Sequence, residues 1–420
     1  MDFKPFVLDK KFGNLDSEIM NVCSGAFGRI DEIRDYNQLK VLKAFTDNRV
    51  GARHMSGSTG YGYDDAGRDM LDKLFADITR AQDALCRTQF VSGTHAITVA
   101  LFGILRKGMT MLSVTGTPYD TLRTVLGIRG HKNGLGSLMD FGVSYRQIEL
   151  VDTGPDYETL SNTARHADLI YIQRSRGYSS RRALRLEEIA KISEIAKSVN
   201  RSAVVAVDNC YGEFTRTCEP TEYGADVIMG SLIKNPGGGI AETGGYIAGR
   251  ADLVEMCANR LTAPGVGREV GSNPSGYRNL FLGLYMAPSV VAEALKSAVY
   301  ASALFEKLGF ETAPGLEEER DDIVTTVKMN SARNLELLCR ALQSSSPVDS
   351  YAVPEASRMP GYKNKVIMAS GAFTAGSSIE ISADAPFEAP YYAYIQGGLN
   401  LISSRYAFLK AAEALEREGV

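Results

Sequence analysis

Histidine is scarce in this chain of 420 residues: His54, His95, His131 and His166 are the only four, and they lie far apart. With no HExxH and no cysteine–histidine cluster, a structural or catalytic metal is not expected. The six cysteines (Cys23, Cys86, Cys210, Cys218, Cys257, Cys339) are equally scattered and form no CxxC pair. That argues for reduced thiols rather than a disulfide framework. An excess of one charge is also lacking: 46 basic residues face 50 acidic ones, which gives no electrostatic case for nucleic acid. No apolar run reaches spanning length, so no membrane partner is expected. Met1-Asp-Phe-Lys-Pro5 lacks the charged start and apolar stretch of a signal peptide, and a cytoplasmic location is expected. There is no internal repeat, low-complexity tract or heptad series.

What is present is the composition of a soluble globular protein, 44% hydrophobic and 23% charged, and a length that suggests about two or three domains. From about residue 70 to 250, strand-like apolar runs alternate with helical patterns, as in a mostly parallel sheet with crossover helices. The candidate strands are 109–115, 167–173, 203–208, 226–230 and 245–248, with 88–91 a probable strand or turn. Helices are expected over 94–105, over 187–199, which opens on paired glutamates, and over 289–308, a long run of apolar and small residues. After Gly309 a helix over 332–342, strands at 365–370 and 378–382, and a last helix near 404–417 read as a small α/β cap. The first 45 residues carry helical periodicity without a sheet. The expected division is an N-terminal arm over 1–50, a large domain over 51–290 and a small C-terminal α/β domain over 291–420.

Two strand ends carry the chemistry. Ala203-Val-Val-Ala-Val-Asp208 closes on a carboxylate, and Ala225-Asp-Val-Ile-Met-Gly-Ser-Leu-Ile-Lys234 closes on a lysine, followed at once by Asn235-Pro-Gly-Gly-Gly239. In an open α/β sheet the ligand crevice lies beyond the carboxyl ends of the strands, so both groups would face it. A surface ion pair is the plain alternative. A lysine and an aspartate delivered there suit pyridoxal 5'-phosphate: the lysine holds the aldehyde as a Schiff base and the aspartate keeps the pyridine nitrogen protonated. Ser92-Gly93-Thr94-His95 opens a helix, where free amides and the dipole suit a phosphate, although it also reads as a simple N-cap. Ser231, three residues before Lys234, is placed to reach a phosphate oxygen. Tyr119, after the strand at 109–115, is either an aromatic lid on the ring or an ordinary turn tyrosine. Arg174 and Arg176 end the strand at 167–173 and can grip a substrate carboxylate, or serve a basic loop at the surface. The glycine- and tyrosine-rich stretch 57–68 and the stretches 262–268 and 275–278 read as binding loops. A nucleotide-binding protein using the glycines at 237–239 is a distant rival, because neither GxGxxG nor GxxxxGKS/T is present.

At these residues the chain resembles the cysteine/methionine-metabolism group of fold-type I pyridoxal-phosphate enzymes. It is most similar to the branch of methionine gamma-lyase-like or cystathionine beta-lyase-like "aluminium resistance" proteins. The carrying segments are SGSTGYGYDDAGRD (56–69), FVSGTHAI (90–97), QRSRGY (173–178), VDNCYGE (207–213) and GSLIKNPGGGIAETGG (230–245). TAPGVG (262–267), SIEISADA (378–385) and QGGL (396–399) add to them. The resemblance implies an aminotransferase-like large domain with a seven-stranded, mostly parallel sheet, plus the small C-terminal domain. It implies Lys234 as Schiff-base lysine, Asp208 as partner of the ring nitrogen, Ser92, Gly93, Thr94 and Ser231 at the phosphate, and Tyr119 stacked on the ring. Tyr61 or Tyr63 would be lent to a neighbouring subunit, in dimers with shared sites that often pair into tetramers. The chain departs from the better-known lyases at Ile233, where a threonine is usual, and at Gly67-Arg68-Asp69, where Asn-Pro-Thr is usual. For the C-terminal arginine that grips substrate carboxylate, Arg405 is the nearest candidate, with Arg174 and Arg176 as rivals.

The expected activity is beta- or gamma-elimination from a sulfur-containing amino acid. Lys234 would be the general base, and Tyr119, Tyr61 or Tyr63 would assist the departing sulfur. The alternative is gamma-replacement on an activated methionine derivative in a biosynthetic pathway, which uses the same residues.

Overall fold

The computed structural model describes residues 8–128, 134–151, 154–179, 181–359 and 364–419; the first seven residues of the expected arm and His131 lie outside them. The chain divides into two compact units, residues 37–286 and residues 1–36 with 287–420. The expected arm is therefore not a separate body. Its periodicity builds one helix, α1 (Lys10–Asp47), whose residues are divided between the two units.

In the larger unit the order is α2 (Ala66–Thr79), β1 (Asp83–Arg87), α3 (Gly93–Ile104), β2 (Thr110–Ser113), α4 (Asp120–Leu126) and β3 (Ser144–Gln147). It continues through α5 (Tyr157–Thr163), β4 (Leu169–Gln173), α6 (Leu186–Val199), β5 (Val204–Asp208), β6 (Val227–Ser231), β7 (Gly245–Gly249) and α7 (Ala251–Leu261). The seven strands form one sheet in the order β1-β7-β6-β5-β4-β2-β3. From β3 to β6 the neighbours run parallel, while β7 pairs antiparallel with both β6 and β1. Every residue of β4, β5, β6 and β7 is buried, as the continuous apolar runs require when helices cover both faces. Of the strand or turn expected at 88–91, no residue is in a strand; the strand lies just before it, and its charged ends (Asp83, Arg87) hide it from a hydropathy reading.

The apolar face of α3 (Ala96, Ile97, Ala100, Leu101, Ile104) joins Met229, Ile247 and Val254 in the core. Gly103 lets α3 approach α7 at the Cys257 backbone. The start of α8 (Arg278–Lys307) is anchored in the same unit, and the expected domain boundary near 290 falls inside this helix.

The second unit holds most of α8 and a six-stranded sheet in the order β10-β11-β12-β13-β9-β8, all antiparallel. Its strands are β8 (Glu311–Ala313), β9 (Val324–Lys328), β10 (Ser357–Arg358), β11 (Lys365–Ser370), β12 (Ser382–Pro386) and β13 (Tyr392–Gln396), with α9 (Ala332–Ser344) and α10 (Leu401–Arg417). The strand expected at 378–382 is displaced: pairing begins where that stretch ends, at Ser382↔Ser370 and Ser382↔Gln396. Residues 378–380 are buried and Ile381 is half-buried without joining the sheet, so their apolar alternation mimics a strand. Within this unit the first turns of α1 bury Phe12, Ile19, Cys23, Ala26 and Ile30, a stripe at helical spacing. The six cysteines form no disulfide. Among the described residues no helix is long and apolar enough to cross a membrane.

Candidate active site

β5 ends on Asp208, which is paired with Gln173 of β4 and Met229 of β6, so the carboxylate leaves the sheet at its carboxyl edge. Asp208 is buried, and its Oδ1 accepts from the Cys210 amide at 3.1 Å while Oδ2 accepts from the Tyr171 hydroxyl at 3.4 Å. Burial pushes its carboxyl above the ordinary range, with Lys234 and the Cys210 amide pulling the other way. A cation brought against Asp208 would therefore be welcome.

Lys234 follows β6 on a turn at which Asn235 and Pro236 begin a short helical bend. Its Nζ lies 4.0 Å from the ring centroid of Tyr211. Burial alone would depress its proton affinity, yet Cys210, Tyr211, Asp208 and Tyr119 outweigh it and hold the lysine well above its usual value. Desolvation by itself would favour a neutral lysine, but it is outmatched by the acidic groups around it.

Ser92 caps α3 by accepting from the His95 amide at 3.1 Å, and its hydroxyl keeps its own hydrogen to donate. The first amides of α3 point out of the helix end, where an anion is favoured. Gly93 sits against Ser231 and Cys210, the place of its missing Cβ lying 3.0 Å from Ser231 Cβ and 3.5 Å from Cys210 Sγ. Ser231 Oγ is buried and has no hydrogen-bond partner among the described residues. An orphaned hydroxyl beside a helix N-terminus and a residue too small to block it fits a phosphate oxygen. The Tyr119 hydroxyl donates to Thr94 Oγ1 at 3.0 Å, which brings Tyr119 to the same helix end. Burial and then Asp208 raise its phenol well above normal, so it stays a neutral ring. Lys234, Asp208, Ser92, Gly93, Thr94, Tyr119 and Ser231 are thus gathered in one place.

The arginines behave differently. Arg174 is fully buried and turns inward, with Nη1 donating to Asn209 Oδ1 at 2.8 Å and the Gly212 carbonyl at 3.0 Å. It braces the turn after Asp208. Arg176 is also buried, at the carboxyl end of β4. Arg405 is bound by both carboxylate oxygens of Asp16, with Nε at 2.8 Å from Oδ1, in a buried pair that also takes the Tyr300 hydroxyl at 2.9 Å. Its guanidinium is committed to structure, which corrects its assignment to a substrate carboxylate.

Tyr61 and Tyr63 stack on each other with centroids 5.5 Å apart and are 73% and 62% exposed. Their loop is firmly held. The Tyr61 carbonyl accepts from the Gly271 amide, Arg68 grips the carbonyls of Gly62 and Glu269, and Asp65 takes the Tyr277 hydroxyl at 2.6 Å. The glycine- and tyrosine-rich stretch 57–68 therefore packs on residues 269–277, between the two other loop stretches singled out in the sequence. Tyr211, at left-handed φ 73, was missed by sequence reasoning; its place in VDNCYGE, three residues after Asp208, is the only signal that pointed to it.

What such a site accommodates is an aldehyde-bearing pyridine phosphate, and the sheet belongs to the fold-type I class of pyridoxal-phosphate enzymes. The methionine gamma-lyase family model matches residues 13–416, and the chain belongs to that family. It is similar to a Clostridium novyi NT structure described as a carbon-sulfur lyase involved in aluminium resistance, with 44% identity, a TM-score of 0.93, and 97% of this chain and 96% of that one covered. A Clostridium acetobutylicum structure, described as a candidate cystathionine beta-lyase involved in aluminium resistance, shows 45% identity, a TM-score of 0.94 and the same coverage. The uncharacterized protein YnbB of Bacillus subtilis (strain 168) is 42% identical over 400 residues, 95% of each chain.

Proposed function

We propose that this protein is a pyridoxal-phosphate-dependent carbon–sulfur lyase acting on a sulfur-containing amino acid, with Lys234 as the residue that both carries the cofactor and moves the proton. The observation that carries the reading is the buried Asp208 and the half-buried Lys234, each bearing on the other's charge, near the orphaned Ser231 hydroxyl. When bound, the cofactor supplies an electron sink for the substrate's alpha carbon. Asp208 holds the proton on the ring nitrogen. Ser92, Gly93, Thr94 and Ser231 hold the phosphate, with α3 supplying the positive end of its dipole. Tyr119 would cover the ring. Lys234 Nζ would take the proton from the substrate alpha carbon.

The substrate carboxylate is assigned to the arginines at the carboxyl end of β4, Arg174 or Arg176, because Arg405 serves Asp16. The exposed Tyr61 and Tyr63 are assigned to a neighbouring copy's site, which makes the working unit at least a dimer. Paired dimers and a cytoplasmic location complete the reading.

The purified protein is expected to show an absorbance band at the edge of the visible, fixed irreversibly by borohydride and lost in Lys234→Ala. A wild type that neither carries nor takes up the cofactor ends this reading. Release of a 2-oxo acid from a sulfur amino acid supports elimination; a new thioether without 2-oxo acid would indicate gamma-replacement instead.

A further inference from the structure

Close to the lysine lies a second buried carboxyl that the scheme above does not use. Glu213 is 4% exposed; its Oε1 accepts from the Tyr246 hydroxyl at 2.8 Å, and its Oε2 has no hydrogen-bond partner among the described residues. The pocket around it is closed and polar. Asn209 donates to Glu219 Oε2 at 3.0 Å and lies 3.4 Å from the Tyr246 hydroxyl, and Arg174 holds Asn209 from behind. Across β6, Gly230 leaves no room for a side chain, since a Cβ there would meet both the Tyr246 ring and Glu213 Oε1. The backbone ties this pocket to the active site: Asn235, the residue after Lys234, donates its side-chain amide to the Glu213 carbonyl at 3.0 Å.

We infer that Glu213 is a positioning residue for Lys234: its carbonyl pins the turn that carries the lysine, and its carboxyl, kept uncharged, spares that lysine a second buried anion beside Asp208. The inference rests on the role given to Lys234 above. Two carboxylates in one desolvated site repel each other, and each would hold the lysine ammonium more tightly. Burial pushes the Glu213 carboxyl up to about 8; its own amide pulls the other way, Glu219 adds to the rise, and Tyr246 and Lys234 oppose it. The titratable groups facing Glu213 among the described residues are Glu219 before β6, Tyr246 on β7, Cys210 after β5 and Lys234 after β6. At neutral pH Glu213 then adds no negative charge beside Lys234, and Asp208 serves the ring nitrogen; above about 8 Glu213 ionises and Lys234 resists deprotonation.

Two measurements test this. Infrared difference spectra of the wild type are expected to show a protonated-carboxyl band at pH 7 that vanishes as the pH passes about 8 and is absent in Glu213→Gln. The rate of pyridoxal-phosphate uptake by stripped protein is the second readout. In the wild type it should fall about tenfold per pH unit of extra lysine proton affinity once Glu213 ionises. Glu213→Gln, a neutral isostere, should match the wild type at pH 7 and lose that fall. Absence of the band at pH 7, or an uptake profile unchanged in Glu213→Gln, overturns the inference. If the variant does not fold, the wild-type band alone decides. A wild type that shows the band but never takes up cofactor refutes the lyase reading and with it any role for Glu213 in serving Lys234.

Discussion

At the scale of single residues the site is built from groups that burial has left wanting a partner. Ser231→Ala removes an orphaned hydroxyl and is expected to weaken cofactor binding roughly 10- to 100-fold, the worth of about 1.5–3 kcal/mol for a hydrogen bond to a charged group. Equilibrium dialysis of the stripped protein measures it. Asp208→Asn should keep the fold while lowering turnover far more than cofactor retention, since an amide cannot stabilise a proton on the ring nitrogen. Glu213 leaves a second signature, in stability. The folded state holds its proton up to about 8, whereas the ordinary value is 4.5. Its stabilising contribution is complete below the ordinary value, declines as the pH rises and is gone above about 8. Melting temperatures of wild type and Glu213→Gln should differ by an amount that changes across this window and is flat beyond it. Asp208 and Lys234 were legible as candidates in the sequence because each closes an apolar run, Ser231 because it stands three residues before Lys234, and Gly93 because its turn opens a helix. Tyr211 and Glu213 were not, because burial, an unusual φ and a distant tyrosine give them meaning. Arg405 was misread for the same reason: its partner, Asp16, lies at the other end of the chain.

At the scale of elements, the buried strands β4 to β7 and the helices α3 and α6 were read almost to the residue, since uninterrupted apolar runs leave few alternatives, while α2, α4, α5 and α7 were not expected. β1 escaped notice because charged residues stand at both ends of a short, mostly buried strand, and β3 because polar residues fill an edge strand that water reaches. The displaced strand at 378–382 shows the limit of a two-residue period, which a buried irregular segment also satisfies. Packing between elements carries its own tests. In the larger unit, Gly283 of α8 lies directly on Gly237 in the turn after Lys234, and a Cβ at either glycine would overlap backbone. Gly283→Ala is expected to push that turn aside and lower cofactor loading while leaving helix content unchanged, as read by absorbance and far-ultraviolet circular dichroism. In the other unit, Asp16 of α1 joins Arg405 of α10 and Tyr300 of α8. Asp16→Ala strands a buried guanidinium and should cost about 3–5 kcal/mol in denaturant unfolding.

At the scale of the whole molecule, the chain forms two compact units, residues 37–286 and residues 1–36 with 287–420, where three segments were expected from the sequence. Helical periodicity announces a helix without saying which unit it will serve, and α1 serves both. The tyrosine pair belongs to this scale. Two large rings, stacked and mostly in water on a loop held rigidly from beneath, are costly to leave exposed. Tyr61→Phe and Tyr63→Phe are each expected to fold normally, and the one that serves a neighbouring site should lose turnover. Mixing it with inactive Lys234→Ala subunits should restore activity; no recovery from two well-folded parents would refute sharing. Shared sites, as proposed, have a genetic consequence. A subunit with a single lesion would leave one working site in a mixed dimer, so its allele would be merely additive. A subunit lacking both its lysine and the proposed lent tyrosine would silence its own site and its wild-type partner's, so the doubly damaged allele would be dominant-negative.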